Sequence, residues 1–414
     1  MRLSANSDSG GPFRSEAVLL LREALVIFVF TVVVGILNGT DVTDFGRKAL
    51  LTHVHAGTLG WITLSVFAAS LWLFGEGHTP GPGEVRAVRA LTALAMVAIP
   101  AFVTTFLFTF GEARPFFGSF ALLAITGFLV WVLLRARGTV MTTPHWGFLV
   151  AMGTSAVGGV VGVLLGYEIA TGHNVLPSGG EDAHPGTMVV GFLIPVGMAL
   201  SEWCFKWPRP DPARRLGTIQ MVFPFLGGIV LLISLLFDIT PLAPASAVLE
   251  LVGVGIFVWR LWPSFRKVAW LARGAARFAA ASAIATVANI LLIQYLVARY
   301  KGDFDNVPDH ELLALDHTMF IGVMTNAIFG LMFAATNRLD VRWPRADHLV
   351  FWGTNLGLAT FSTGLLFDVT AMKRVSTPVM GACILVGVAV YSVRFATERF
   401  AGNGHPPSEG APTR

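Results

Sequence analysis

Leu235-Leu236-Phe237-Asp238-Ile239-Thr240 returns 130 positions later as Leu365-Leu366-Phe367-Asp368-Val369-Thr370. Each copy closes an apolar run long enough to cross a bilayer core, which takes about 20 residues. A second string recurs in the same order, as Gly127-Phe128-Leu129-Val130-Trp131, Gly255-Ile256-Phe257-Val258-Trp259 and Gly387-Val388-Ala389-Val390-Tyr391. A third opens on histidine: His55-Ala56-Gly57-Thr58-Leu59, His184-Pro185-Gly186-Thr187-Met188 and His317-Thr318-Met319-Phe320-Ile321, with the histidines 129 and 133 residues apart. Three strings sharing nearly one period mark an internal repeat.

Outward from these strings, apolar runs fill the chain. They lie near 18–38, 51–74, 87–110, 117–134, 145–169, 184–205, 216–237, 242–261, 277–298, 310–336, 348–367 and 377–395. Hydrophobic residues make up 54% of the 414 and charged residues 13%, with mean hydropathy +0.68. A soluble domain carries about a quarter charged residues. The runs are continuously apolar and do not alternate with period two, which fits helices better than barrel strands. The sequence therefore predicts an all-α polytopic membrane protein of about twelve transmembrane helices in three pseudo-symmetric four-helix arcs. An N-terminal tail (1–16) leads into one transmembrane domain (17–400) with units 17–137, 143–266 and 273–399. A tail rich in Gly, Pro and Ser (401–414) is expected to be disordered. Four spans per unit is an even number, so the units are parallel and not inverted.

Basic residues set the expected orientation. Most of the 29 Lys and Arg fall in loops on the side of the N-terminus, densest in 206–215 and 260–277. The positive-inside rule then places both termini in the cytoplasm of a multi-pass protein of the cell (inner or plasma) membrane. The first span follows a polar stretch without a small-residue cleavage site and reads as a retained helix, not a signal peptide. The net charge of +4 belongs to those loops, where anionic headgroups are the natural counter-charge; nucleic acid is not implied. Two cysteines, Cys204 and Cys383, lie on separate spans and make no disulfide framework.

Of ten histidines, His78 and His405 read as solvated, and His145, His173, His310 and His348 as hydrogen-bonded residues at span ends. His53, His55, His184 and His317 differ. Each opens the second span of its unit, within about a turn of the outer helix start. Recurrence at equivalent positions would set them at one depth around shared interfaces. Residues two apart on a helix diverge by about 200°, so His53 and His55 offer one imidazole to each of two flanking sites. Imidazole suits haem iron and copper. Within the spans, Asn289, Gln294, Asn326 and Asn355 read as helix-to-helix hydrogen bonding, and Glu250 as the carboxylate of functional interest.

The segment Thr52-His53-Val54-His55-Ala56-Gly57-Thr58-Leu59-Gly60-Trp61 resembles the tenth helix of haem–copper oxidase subunit I, above all its cbb3-type branch, where an H-x-H pair ligates two haems on either side of one helix. That family also has twelve spans in pseudo-three-fold arcs with metal sites in the outer half. The H-x-H and Asp316-His317 segments are likewise similar to the NnrS family of membrane haem and copper proteins linked to nitric-oxide stress. The resemblance implies haem b, and copper as a second cofactor. It implies an electron-donor protein or quinol as partner within the lipid bilayer. One haem would lie between spans two and ten, on His317 and one of His53 and His55; the other histidine of the pair would face His184 in a second haem or copper site. Arg47, Lys48, Arg114 and Arg374 are the outer-side cations for haem propionates. The chain also departs from the oxidases. Its H-x-H is on span two, span seven (216–237) has no histidine, and Met188 stands four residues after His184 where that family has tyrosine. A three-histidine copper centre is not built from these positions, and proton-pumping oxygen reduction is not implied. C-x-x-C-H is absent, so no c-type haem is indicated.

The function expected from this is haem-dependent electron transfer or handling of nitric oxide or another small gas, with a haem-dependent oxidoreductase activity left open. Two other classes accommodate the same histidines: a transporter or channel for metal, haem or a small solute, and a structural or regulatory membrane subunit without catalytic metal.

Overall fold

The structure, a computed structural model, describes residues 11–108, 111–207, 210–300, 306–336 and 343–401, with side chains to residue 396. Among the described residues, twelve helices are long and apolar enough to cross a membrane: α1 (Arg14–Gly39), α2 (Arg47–Gly75), α3 (Pro82–Phe108), α4 (Ala113–Ala136), α5 (Thr143–Thr171), α6 (Gly180–Phe205), α7 (Arg215–Leu236), α8 (Thr240–Phe265), α9 (Ala275–Tyr300), α10 (Asp309–Thr336), α11 (Pro344–Leu366) and α12 (Thr370–Ala396). They are the expected spans, with ends that differ by up to seven residues and most of them extended into the polar flanks. Among the described residues the one β feature is an isolated bridge between Thr142 and Pro212. The chain is thus an all-α polytopic membrane fold. The expected disorder of the C-terminal tail, and His405 within it, fall outside the described residues.

The packing repeats with the sequence. The third and fourth helices of each unit pair as hairpins, α3 with α4, α7 with α8 and α11 with α12. The fourth helix of each unit then meets the first of the next, α4 on α5, α8 on α9 and α12 on α1, which closes a ring. The second helices form its inner layer: α2, α6 and α10 are 78%, 83% and 78% buried over their apolar windows, and no other helix exceeds 56%. The histidine-bearing helices are therefore the central ones.

The repeated Leu-Leu-Phe-Asp-x-Thr string is a helix stop. Asp238 and Asp368 adopt positive φ of 53° and 51°, a left-handed conformation that aspartate tolerates better than most residues. The next N–H then folds back, Ile239 to the Ser234 carbonyl at 2.8 Å and Val369 to that of Gly364 at 2.7 Å, the six-to-one bond of a Schellman cap. The chain turns at once into the next helix.

Each central helix also contains a π-helical segment just below its histidine, at Ala56–Thr63, Met188–Leu193 and Thr318–Thr325. Such segments are rare and concentrate at functional sites. Side chains support the wide turns: Thr63 donates to the Thr58 carbonyl and Thr325 to that of Phe320, each at 2.9 Å and five residues back. One extra residue per turn rotates the following helix by about 100°, so the histidine end and the packing end of α2, α6 and α10 do not share a regular stripe.

At the opposite end, an arginine from each fourth helix meets a carboxylate. Arg260 holds the buried Glu202 through both terminal nitrogens at 2.8 Å. Arg394 and Arg273 bracket the buried Asp347. Arg135 stands 4.0 Å from Glu84, which also accepts the Trp131 indole N–H at 3.1 Å. The intramembrane amides behave as expected for three of four: Asn289 donates to the Leu315 carbonyl at 2.8 Å, and Asn326 and Asn355 exchange two bonds of 2.9 Å. Gln294 Nε2 has no hydrogen bond. Both cysteines are free and buried.

Candidate functional site

The two histidines of α2 point into different surroundings. His53 and His317 line one cavity of about 430 Å³, and the two imidazoles lie within electrostatic range of each other. This volume is in the range of small-molecule and cofactor sites. The walls are apolar, among them Phe28, Trp61, Phe320, Phe361 and Met380, and the mouth carries Asp41, Asp44 and Lys373. Phe361 meets the His317 ring edge-on with centroids 4.9 Å apart. The cavity lies where the third unit meets the first, with α1, α2, α10, α11 and α12 all contributing.

His55 faces the other way, within electrostatic range of His184 on α6 and of Arg114 at the start of α4. Its ring stacks on Phe106 at 3.9 Å and meets Phe102 edge-on at 6.1 Å. Arg114 lies over the same Phe106 ring, 5.0 Å from the centroid, and its buried Nε has no hydrogen bond. Gly162 of α5 makes room for His184: a Cβ there would fall 2.8 Å from the imidazole Cε1. This second site lies between the first and second units.

Hydrogen bonds fix the tautomer of three of the four imidazoles. Nδ1 of His55 lies 2.8 Å from the Leu51 carbonyl, that of His317 2.8 Å from Leu313, and that of His184 2.9 Å from Gly158. A carbonyl only accepts, so Nδ1 carries the proton in each. Nε2 is left with its lone pair, the arrangement of metal-bound histidines. His53 rests against the Thr31 backbone, and its buried Nδ1 has no hydrogen bond of normal geometry. His145 is the contrast. Its Nδ1 lies 2.7 Å from the Thr142 hydroxyl and its Nε2 3.2 Å from the Leu73 carbonyl, so both nitrogens are committed to structure. His310 and His348 bond the Leu365 carbonyl and Arg277 through Nδ1. His78 is half-buried on Glu84 at 2.7 Å and is not the freely solvated residue expected.

The four cations expected to serve propionates separate. Arg374 and Lys373 pair with Asp41 at 2.6 and 3.2 Å beside the cavity mouth. Arg114 belongs to the His55 site. Arg47 makes an exposed ion pair with Glu181 at 3.3 Å, bridging α2 and α6. Lys48 accepts the Thr52 hydroxyl on its carbonyl at 2.8 Å, within the first turns of α2. Lys373, which lines the cavity, was not singled out in the sequence; its adjacency to Arg374 was the available signal. Asp316, beside His317, also lines the cavity. Phe102 and Phe106 had no signal, because they approach from α3.

The residues fit haem better than copper. His53 and His317, on two walls of one cavity, would offer two imidazoles to a haem iron. The oxidase type of copper centre takes three histidines, and no group of three His, Cys, Asp or Glu converges among the described residues. The cavity at His53 and His317 is open space, whereas at His55 one face of the imidazole is already covered by the Phe106 ring. Comparison of the chain with protein-family models and with curated proteins finds no match.

Proposed function

We propose that this membrane protein binds haem b at His53 and His317, carries a second haem or a copper centre at His55 and His184, and acts in electron transfer or in handling nitric oxide or another small gas. The observation that carries the reading is the pairing of the imidazoles across α2, with Nε2 left free in three of them. Arg374 and Lys373 at one site, and Arg114 at the other, supply the cations that carboxylate substituents need. Haem, when bound, would supply one-electron chemistry, and an iron held by two imidazoles would take up a small gas only in exchange for one of them. The apolar walls would keep water from it, and Lys373 and Arg374 at the mouth would hold its carboxylates. Electrons would come from a protein or quinol donor. The basic loops favour a cell-membrane location with both termini in the cytoplasm, so that a reporter fused after Gly172 reads as external and one after Lys267 as cytoplasmic.

The test is a visible spectrum of protein purified from haem-replete cells, with haem and copper quantified. A Soret band with sharp reduced α bands is expected. A colourless, metal-free preparation overturns the reading and favours a transporter or a structural subunit on the same scaffold.

A further inference from the structure

The three seams that close the ring are not packed alike. Between α12 and α1, a Cβ on Gly381 would fall 2.4 Å from Ile36, and one on Gly39 2.6 Å from Thr377. Between α4 and α5, a Cβ on Gly159 would fall 3.0 Å from Leu122. In both seams a side chain of one helix fills the notch left by a glycine of the other. Between α8 and α9 the glycine is Gly255, and nothing stands within 4 Å of where its Cβ would be. An apolar groove of about 450 Å³ opens there instead, lined by Leu251, Gly255, Val258 and Trp262 of α8 and Val287 and Leu291 of α9. It extends about 16 Å along α8, from the rise of 1.5 Å per residue.

The groove ends beside charge. Trp259 and Trp262 expose 67% and 51% of their surface at that end, as tryptophans do at a membrane–water boundary. One turn further on, Arg266 and Lys267 are exposed and form no ion pair among the described residues. An apolar slot in the bilayer core, an aromatic boundary and two free cations follow one another along a single line. That is the layout of one phospholipid molecule with a negative headgroup.

We infer that the α8–α9 seam is a binding site for an anionic phospholipid, whose acyl chain fills the groove at Gly255 and whose headgroup phosphate meets Arg266 and Lys267. The seam is the most loosely packed of the three, so the lipid would complete the wall between the second and third units. The site is independent of haem.

The test is native mass spectrometry of the full chain released from nanodiscs of equal phosphatidylglycerol and phosphatidylcholine. Wild type is expected to keep phosphatidylglycerol in clear excess. Gly255→Leu fills the groove without touching the charges, strengthens helix propensity, and should abolish retention. Arg266→Gln/Lys267→Gln should keep the groove but lose the preference, by on the order of 30-fold for two surface charges. Equal retention of both lipids by wild type, or wild-type retention by both variants, overturns the inference. So does a quinone in the organic extract that Gly255→Leu displaces while the lipid profile stays unchanged.

Discussion

Trp61 of α2 donates its indole N–H to the Thr325 hydroxyl of α10 across 3.2 Å, and Thr325 passes a hydrogen bond on to the Phe320 carbonyl at 2.9 Å. Both residues lie in π-helical segments, and Trp61 stacks on Phe28 of α1 with centroids 4.2 Å apart. One hydroxyl thus ties two central helices together and supports the wide turn of one. Thr325→Val keeps the shape and leaves the buried indole N–H without an acceptor. It should destabilise the protein by about 1–3 kcal/mol. Thermal unfolding in detergent, followed by tryptophan fluorescence, checks this; an unchanged midpoint rejects the coupling.

The imidazole pairing predicts which variants share a phenotype. His53→Ala and His317→Ala should remove the same spectral component, and His55→Ala and His184→Ala the other. Within a pair the double variant should lose no more than either single one, because residues acting on one centre are not additive. His145→Ala should lower stability while leaving bound haem per folded molecule unchanged. Spectra in which His53→Ala matches His184→Ala would reject the pairing.

Much of this was legible in the sequence. The twelve spans follow from hydropathy, because hydrocarbon leaves the backbone few choices. The opposed directions of His53 and His55 follow from helical geometry. Their partners did not follow, since the sequence places His317 and His184 at matching depth without saying which lies on which side. The π-helical segments were not legible either: Ala56–Thr63 and Thr318–Thr325 are ordinary apolar runs with small residues, and the five-back threonine bonds appear only once the backbone is traced. The carboxylates at the other end, Glu202 and Asp347, went unremarked because their arginines lie 58 and 47 residues away in the chain.

Arg114 predicts an electrostatic effect at the His55 site. Its charge lies close to His55, and among the described residues it forms no ion pair with a carboxylate. Positive charge favours the reduced form of a nearby redox centre, so Arg114→Gln should lower the midpoint potential of that centre. An interaction of about 1 kcal/mol corresponds to roughly 40 mV for one electron. Potentiometric titration of both centres checks it: Arg374→Gln should move the other component, and the reverse assignment would reject the placement.

The cavity mouth should respond to acid. Hydrogen bonds from Arg374 first and then Lys373 hold the Asp41 carboxyl below the ordinary carboxylate value. A depressed folded pKa contributes stability that is fully present above the unfolded pKa, about 3.9 for aspartate, and lost as pH falls through the lower folded value. The contact joining the α1–α2 loop to the start of α12 should therefore hold at neutral pH and loosen only below about pH 4. Hydrogen exchange of residues 40–46 should rise there, and Asp41→Asn should show the same faster exchange at pH 7. Loosening that begins near pH 6 would point to a histidine instead.

Asp347 gives the strongest stability prediction. It is 1% exposed, with Arg273 at 2.8 Å through Nε and Arg394 at 3.0 Å. The fully buried Arg277 bonds its backbone carbonyl. One carboxylate therefore stands among three guanidinium groups at the junction of α9, α11 and α12. Asp347→Asn keeps the volume and part of the hydrogen bonding but leaves the cations uncompensated. Removing one partner of a buried ion pair costs about 3–5 kcal/mol, a large fraction of a typical folding stability. The variant should unfold at markedly lower temperature or accumulate poorly. Arg394→Gln in the Asp347→Asn background should recover part of the loss, because it removes one of the orphaned charges. Equal stability of Asp347→Asn and wild type, measured by detergent-monomer elution after a temperature series, would show that the cluster carries no such energy.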